Sequence, residues 1–177
     1  MNTEDFLFVS GSHPEGITYT TYEKIAKAAQ LRRFKLILDT SADFVPDLLK
    51  YRPYLIKPND EELAEWFGLI NPSLEEIKEC GQKLLEKGAE NVLVSLGEKG
   101  AILFTPTETI HVTAPKGEVV NTACAGDTLL ATFVGSQLLG LSDEQALIKA
   151  VAAGSSTAFR PGLTDFSDVP TLMQQIK

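Results

Sequence analysis

The stretch Asn121–Phe133, NTACAGDTLLATF, places one carboxylate, Asp127, directly behind Ala125 and Gly126. An apolar pattern with helical spacing follows at once, so a helix is predicted over roughly Ala125 to Leu139. The first N–H groups of such a helix have no partner inside it. Together with the helix dipole they form a site for an anion. Ala125 and Gly126 carry almost no side chain, so a phosphate can come close to the backbone. Asp127 then stands at the edge of the site, within reach of the proton of a hydroxyl that attacks a phosphoryl group. A plain helix start explains the same letters, with Asp127 favoured by the dipole and small residues for close packing. On local features alone the plain reading is favoured.

Working outward, the chain alternates strands and helices. Strand patterns occur at Phe6–Ser10 (FLFVS), Lys35–Asp39 (KLILD), Tyr54–Lys57 (YLIK) and Asn91–Leu96 (NVLVSL). Helical spacing runs from Tyr19 to Arg33, and a short helix is expected after Pro46. Asp60–Phe67 reads as a helix with acids in its first turn. Ser73 and Glu76 form a capping box for a helix that runs to Lys87 and is closed by Gly88. AILFT and TIHVT flank Pro106–Glu108 as a hairpin. A second long helical pattern covers Ser142–Phe159, and a short helix ends the chain. This order predicts a single α/β domain over 1–177, a mainly parallel sheet covered by helices with a late antiparallel hairpin. Ligands of such sheets sit beyond the carboxyl ends of the strands. The informative loops therefore follow Ser10, Asp39, Lys57, Leu96 and Thr113.

The composition sets limits. The 177 residues are 44% hydrophobic, enough for a real core, and the net charge of −8 argues against a nucleic-acid groove or an anionic membrane surface. No apolar run has the length of a membrane-spanning helix, and MNTEDFLFVS lacks the basic and apolar regions of a secretion signal. Cys80 and Cys124 have no metal-ligand spacing. Cys80 falls in a helical pattern as a small buried side chain. A reducing cytoplasm is the expected location.

Two further segments carry chemistry. KPNDEE puts Lys57, Asn59 and Glu62 just past a strand. An amide and an acid three apart at a helix start can hold a hydrated Mg²⁺; a cap with solvated acids fits equally well. SLGEKG gives Ser95, Gly97 and Gly100 after another strand, and two glycines let backbone lie against a nucleotide. A plain turn into the hairpin is favoured for that segment alone. Neither G-x-x-x-x-G-K-[ST] nor a G-x-G-x-x-G after a strand occurs. His13 and His111 lie far apart, and His111 in its strand reads as structural.

Taken together, NTACAGDTLLATF, GSHPEG (Gly11–Gly16), LDTS, KPNDEE and VSLGEKGA resemble the motifs of the PfkB (ribokinase-like) carbohydrate kinases, in the order and spacing of that family. The resemblance is greatest to the branch that contains 1-phosphofructokinases and tagatose-6-phosphate kinases. It implies a ribokinase-like fold and ATP-dependent phosphorylation of a ketohexose phosphate to a bisphosphate, with Mg²⁺. Fructose 1-phosphate is preferred over tagatose 6-phosphate as the substrate. By position, the resemblance makes Asp127 the catalytic base and the backbone of Cys124, Ala125 and Gly126 the anion hole. It ties Asn59 and Glu62 to Mg²⁺ through water. It puts Ser95, Gly97 and Gly100 on the nucleotide, with the segment Ala153–Ser156, including Ala153 and Gly154, near the adenine.

The chain also departs from the family pattern. Cys124 stands where the family usually has glycine, and a positive φ there would strain it. His13 and Glu15 replace more apolar or proline residues in the GSHPEG loop. The resemblance begins partway through a family member, so the family's N-terminal part, with its sugar-binding carboxylate and its lid, is expected to be absent. FLFVS then becomes an unpaired sheet edge through which copies of the chain can associate. A chain of this extent is expected to be inactive alone. Two alternatives stay open: a non-catalytic nucleotide-binding remnant or partner subunit, and a kinase for another sugar or a nucleoside of the same superfamily.

Overall fold

The computed structural model describes residues 5–11 and 16–176. In chain order the first elements are β1 (Phe6–Ser10), α1 (Tyr19–Arg32), β2 (Lys35–Asp39), α2 (Val45–Leu48) and β3 (Leu55–Ile56). Next come α3 (Asp60–Phe67), α4 (Leu74–Glu86), β4 (Val92–Ser95), β5 (Ala101–Phe104) and β6 (Thr109–Val112). Three helices end the chain, α5 (Ala125–Leu138), α6 (Asp143–Ala158) and α7 (Val169–Met173). The hydrogen-bonded strand order is β1-β2-β3-β4-β5-β6, parallel from β1 to β4 and antiparallel from β4 to β6. The predicted mixed α/β sheet with a late hairpin is the one found. The chain forms two compact units. The first takes the chain up to Val94 together with Leu103–Thr109, and the second takes Ser95–Ile102 and the chain from Ile110.

In the first unit, β1 and β2 pair in parallel from Phe6 with Lys35 to Ser10 with Asp39. Leu36, Ile37, Leu38, Leu55, Ile56, Val92, Leu93 and Val94 are all buried. A parallel strand covered on both faces needs such a continuous apolar run rather than an alternating one. Burying one Leu, Ile or Val contributes about 1.5–3 kcal/mol, so these strands anchor the unit. β3 is shorter than the predicted Tyr54–Lys57. Lys57 still donates its N–H to the Leu38 carbonyl at 3.0 Å, but Pro58 has no N–H to continue the ladder. β1 is the outermost strand at one end of the order, and Phe8 on it is 44% exposed.

The helices of this unit follow their local chemistry. Ser73 Oγ accepts the Glu76 N–H at 3.3 Å, and Glu76 Oε2 accepts the Ser73 N–H at 2.8 Å, so the predicted capping box opens α4. Gly81 in α4 faces the Phe104 ring so closely that a methyl group there would run into it. Cys80 is buried as predicted, and burial pushes its thiol pKa up. At the surface, Glu23 of α1 accepts from Tyr51 Oη at 2.7 Å and Tyr19 Oη at 3.0 Å. These bonds, Tyr51's first, with Lys27 close by, lower its carboxyl pKa to about 2. They tie α1 to the 3-10 turn Leu49–Tyr51.

The second unit is built on α5 and α6. Ser142 caps α6, accepting the Gln145 N–H while Gln145 Oε1 accepts the Ser142 N–H, both at 3.3 Å. The buried face of α6 carries Ala146, Leu147, Ala150, Val151 and Ala153. Ala152 and Ala153 pack with Val169 and Leu172 of α7, joined by Phe159, Met173 and Ile176. Among the described residues, no helix is long and apolar enough to cross a membrane.

Candidate functional site

The second unit contains the stretch on which the sequence reading turns. Asn121 Oδ1 accepts the Ala123 N–H at 3.0 Å, and Ala125 donates to the Thr122 carbonyl at 3.2 Å. These bonds turn the chain into α5. The N-cap is Cys124, held at φ 61° and ψ 5°, with no hydrogen bond from its side chain to the helix. The N–H groups of Gly126 and Asp127 belong to the first turn and have no intrahelical acceptor. Asp127 is exposed in that turn. An oriented set of donors, small side chains and an exposed acid therefore share one helix end.

Cys124 is in the left-handed region, as the family's usual glycine suggested. An L-residue there costs roughly 1–2 kcal/mol, part of which glycine's extra freedom in the unfolded chain offsets. Cys124→Gly is therefore expected to stabilise the protein by about 1 kcal/mol, raising Tm by roughly 2–4 °C. A thermal melt checks this. A variant melting at or below the parent would mean that the thiol makes a compensating contact.

The turn from Ser95 to Gly100 lies in the same unit. Ser95 ends β4, and Gly97–Lys99 form a 3-10 turn. Leu96 donates to the Gly100 carbonyl at 2.8 Å, and His111 Nε2 lies 3.3 Å from the Lys99 carbonyl oxygen. His111 thus braces the turn, in line with its structural reading. Gly97 has φ 57° and open space around the position of a Cβ. Gly100 has φ 93°, and a Cβ would run into the Val112 carbonyl oxygen and approach Ala114 N to 2.8 Å. The two glycines therefore answer different demands: Gly97 a left-handed turn, Gly100 a close backbone approach.

Ala153 and Gly154 are buried in α6. Ala153 is taken up by the cluster with Val169 and Leu172. A Cβ on Gly154 would sit 3.0 Å from the Ala125 carbonyl oxygen and 3.3 Å from Leu129 Cβ. The structure thus brings Gly154 against the start of α5, where its lack of a side chain lets the two helices approach.

The first unit supplies the other predicted residues. Asn59 Oδ1 accepts the Glu62 N–H at 2.7 Å, and Glu62 Oε2 accepts the Asn59 N–H at 3.0 Å. Both side chains thus serve a capping box for α3. Among the described residues, no group of three or more His, Cys, Asp or Glu is placed to hold a metal ion. Sequence reasoning missed the partner of Lys57. Its Nζ lies 2.9 Å from Asp39 Oδ1, with the side chains 8% and 13% exposed. The only signal was that each residue ends a predicted strand. His13 and Glu15 lie outside the described residues.

A mainly parallel sheet of this order, with glycine turns and an acid at a helix start, defines a ribokinase-like α/β fold. The chain belongs to the pfkB family of carbohydrate kinases, whose sequence pattern matches residues 1–171. It is 50% identical over 173 residues to D-tagatose-1-phosphate kinase of Bacillus licheniformis, covering 97% of this chain and 57% of that protein. It is 38% identical over 173 residues to 1-phosphofructokinase of Bacillus subtilis, covering 98% of this chain and 57% of that protein. The crystal structure of phosphofructokinase-2 from Escherichia coli in complex with substrates and products superposes with a TM-score of 0.88 at 26% identity. That match covers 97% of this chain and 57% of the crystallised one. The chain thus spans a little over half the length of the relatives it matches. The tagatose relative is a 1-phosphate kinase, where the sequence reading named a 6-phosphate kinase.

Proposed function

We propose that this chain is the nucleotide-binding portion of an ATP-dependent kinase that phosphorylates a ketohexose 1-phosphate to a bisphosphate. The observation that carries this reading is 50% identity to a D-tagatose-1-phosphate kinase along 97% of the chain. The similarity to 1-phosphofructokinase points to the same kind of acceptor, a ketohexose with its phosphate already on C1. Fructose 1-phosphate and tagatose 1-phosphate are the substrates to try first. In the reaction, an acceptor hydroxyl oxygen attacks the γ-phosphorus, the bond to the bridging β–γ oxygen breaks and ADP leaves. Asp127 receives the hydroxyl proton. The backbone at Cys124, Ala125 and Gly126 forms the anion hole, in which the Gly126 N–H, with no intrahelical acceptor, stabilises charge on the moving phosphoryl group. Ser95, Gly97 and Gly100 offer backbone to the nucleotide, and Gly154 acts there through its packing on α5. Asn59 and Glu62 supply an amide and a carboxylate oxygen, donors that suit a hydrated Mg²⁺ held through water. Bound there, Mg²⁺ would neutralise phosphate charge.

A second reading is a nucleotide-binding remnant or partner subunit without transfer activity. It keeps the turns at Ser95–Gly100 and Cys124–Asp127 and differs only in the transfer step. Titration with Mg·ATP together with a turnover assay separates the two. Binding is expected in the range of tens of micromolar to millimolar; ~4–6 kcal/mol corresponds to that affinity. Absence of binding heat on folded protein at millimolar Mg·ATP would overturn the nucleotide assignment. Binding without transfer to either sugar phosphate would favour the second reading.

A further inference from the structure

We propose that Thr157 is a positioning residue that fixes the aim of the first turn of α5; this rests on the proposed phosphate-binding role of that turn. Ser156 and Thr157, near the end of α6, are buried, at 0% and 1% exposure. The Thr157 hydroxyl donates to Thr128 Oγ1 at 3.1 Å and accepts the Thr164 N–H at 3.2 Å. Thr128 directly follows Asp127, and its N–H donates to the Cys124 carbonyl at 2.9 Å. A single hydroxyl therefore joins α6, the segment after it and the turn that carries the candidate base.

The segment after α6 is itself held firmly. Ser156 donates to Asp168 Oδ1 at 2.5 Å and shares a 2.6 Å hydrogen bond with Thr164. Thr164 Oγ1 also accepts the Phe166 N–H at 2.9 Å. Arg160 pairs with Asp165 at 2.8 Å and with Asp168 at 2.9 Å. The Ala158 carbonyl accepts the N–H groups of Val120, at 2.8 Å, and Asn121, at 3.1 Å. The same end of α6 thus grips the approach to α5 at Val120–Asn121 and its first turn at Thr128. Helix N–H groups stabilise a phosphoryl group only if they are aimed before it arrives, and small misplacements are costly. Thr157 supplies that aim by using both its donor and its acceptor capacity.

Valine has the shape of threonine and neither capacity. In the full chain, Thr157→Val is expected to speed hydrogen exchange of the amides in 125–129 and 162–166 by roughly tenfold, while Thr157→Ser returns them close to the parent rates. Mg·ATP should bind about tenfold more weakly to Thr157→Val, while adenosine, which has no phosphates, binds as before. Thr128→Val should loosen 125–129 similarly, and the double variant should lose no more than Thr157→Val alone. Unchanged exchange in 125–129, additive losses in the double variant, or an equal loss of adenosine and Mg·ATP would each overturn the proposal. If the parent chain bound no Mg·ATP, the proposed function would fall, and the exchange and double-variant measurements would still decide the Thr157 link.

Discussion

Asp127→Asn, in a chain extended to the full length of its relatives, is expected to lower kcat by on the order of 10²–10⁴-fold, the usual contribution of a positioned general base. Asparagine keeps the size and planarity of the side chain, so the turn should keep its shape. It removes the carboxylate proposed to accept the hydroxyl proton. Losing the acid's interaction with the helix dipole costs about 0.3–1 kcal/mol of stability, far less than the kinetic effect. Mg·ATP binding should hold or tighten slightly, because a negative charge near the phosphates is gone. Steady-state kinetics and calorimetry on the same two proteins separate these effects. Near-normal turnover would show that the proton leaves by another route.

The second large effect concerns stability. Gly100→Ala combines a positive φ with a collision against the backbone around Val112–Ala114. Backbone cannot rotate away as a side chain can, so the end of β6 or the turn itself must shift. The expected cost is roughly 2–4 kcal/mol. Gly97→Ala is the control. Its φ of 57° is also positive, but it lacks the near glycine-only conformation of Gly100 (φ 93°, ψ −131°) and nothing lies within 4 Å of the added carbon, so only the conformational cost of about 1 kcal/mol applies. Denaturant unfolding should show a much larger fall in midpoint for Gly100→Ala, with the slope unchanged. Equal losses for the two variants would mean that the contact at Val112 yields easily.

Local chemistry was legible in the sequence wherever both partners lie within one helical turn. Ser73 with Glu76 is the clear example, since the spacing alone creates the bond. The buried runs of β2 and β4 were equally readable, because a parallel strand covered on both faces leaves no polar positions. At Asn59 and Glu62 the spacing equally made the cap readable, and the capping box is formed. Where partners are distant, the sequence carried little. The ion pair of Lys57 with Asp39 depends on neighbouring strands ending side by side, and the link from Thr157 to Thr128 depends on how α6 crosses α5. For Gly154 the resemblance implies only that the segment Ala153–Ser156 lies near the adenine. Its contact with Ala125 could be seen only once the helices were packed.

The strands β1 to β4 pair in the order in which they occur along the chain. That order bears on how the protein is made. Each strand emerging from the ribosome meets a neighbour that has already been synthesised, one crossover earlier. The loop to be closed is therefore short, and its entropic cost small. A shuffled parallel sheet would have to wait for late segments before its central pairs could form, leaving apolar strand faces uncovered meanwhile. Here the sheet can grow strand by strand during synthesis, each addition pairing the open backbone edge left by the one before.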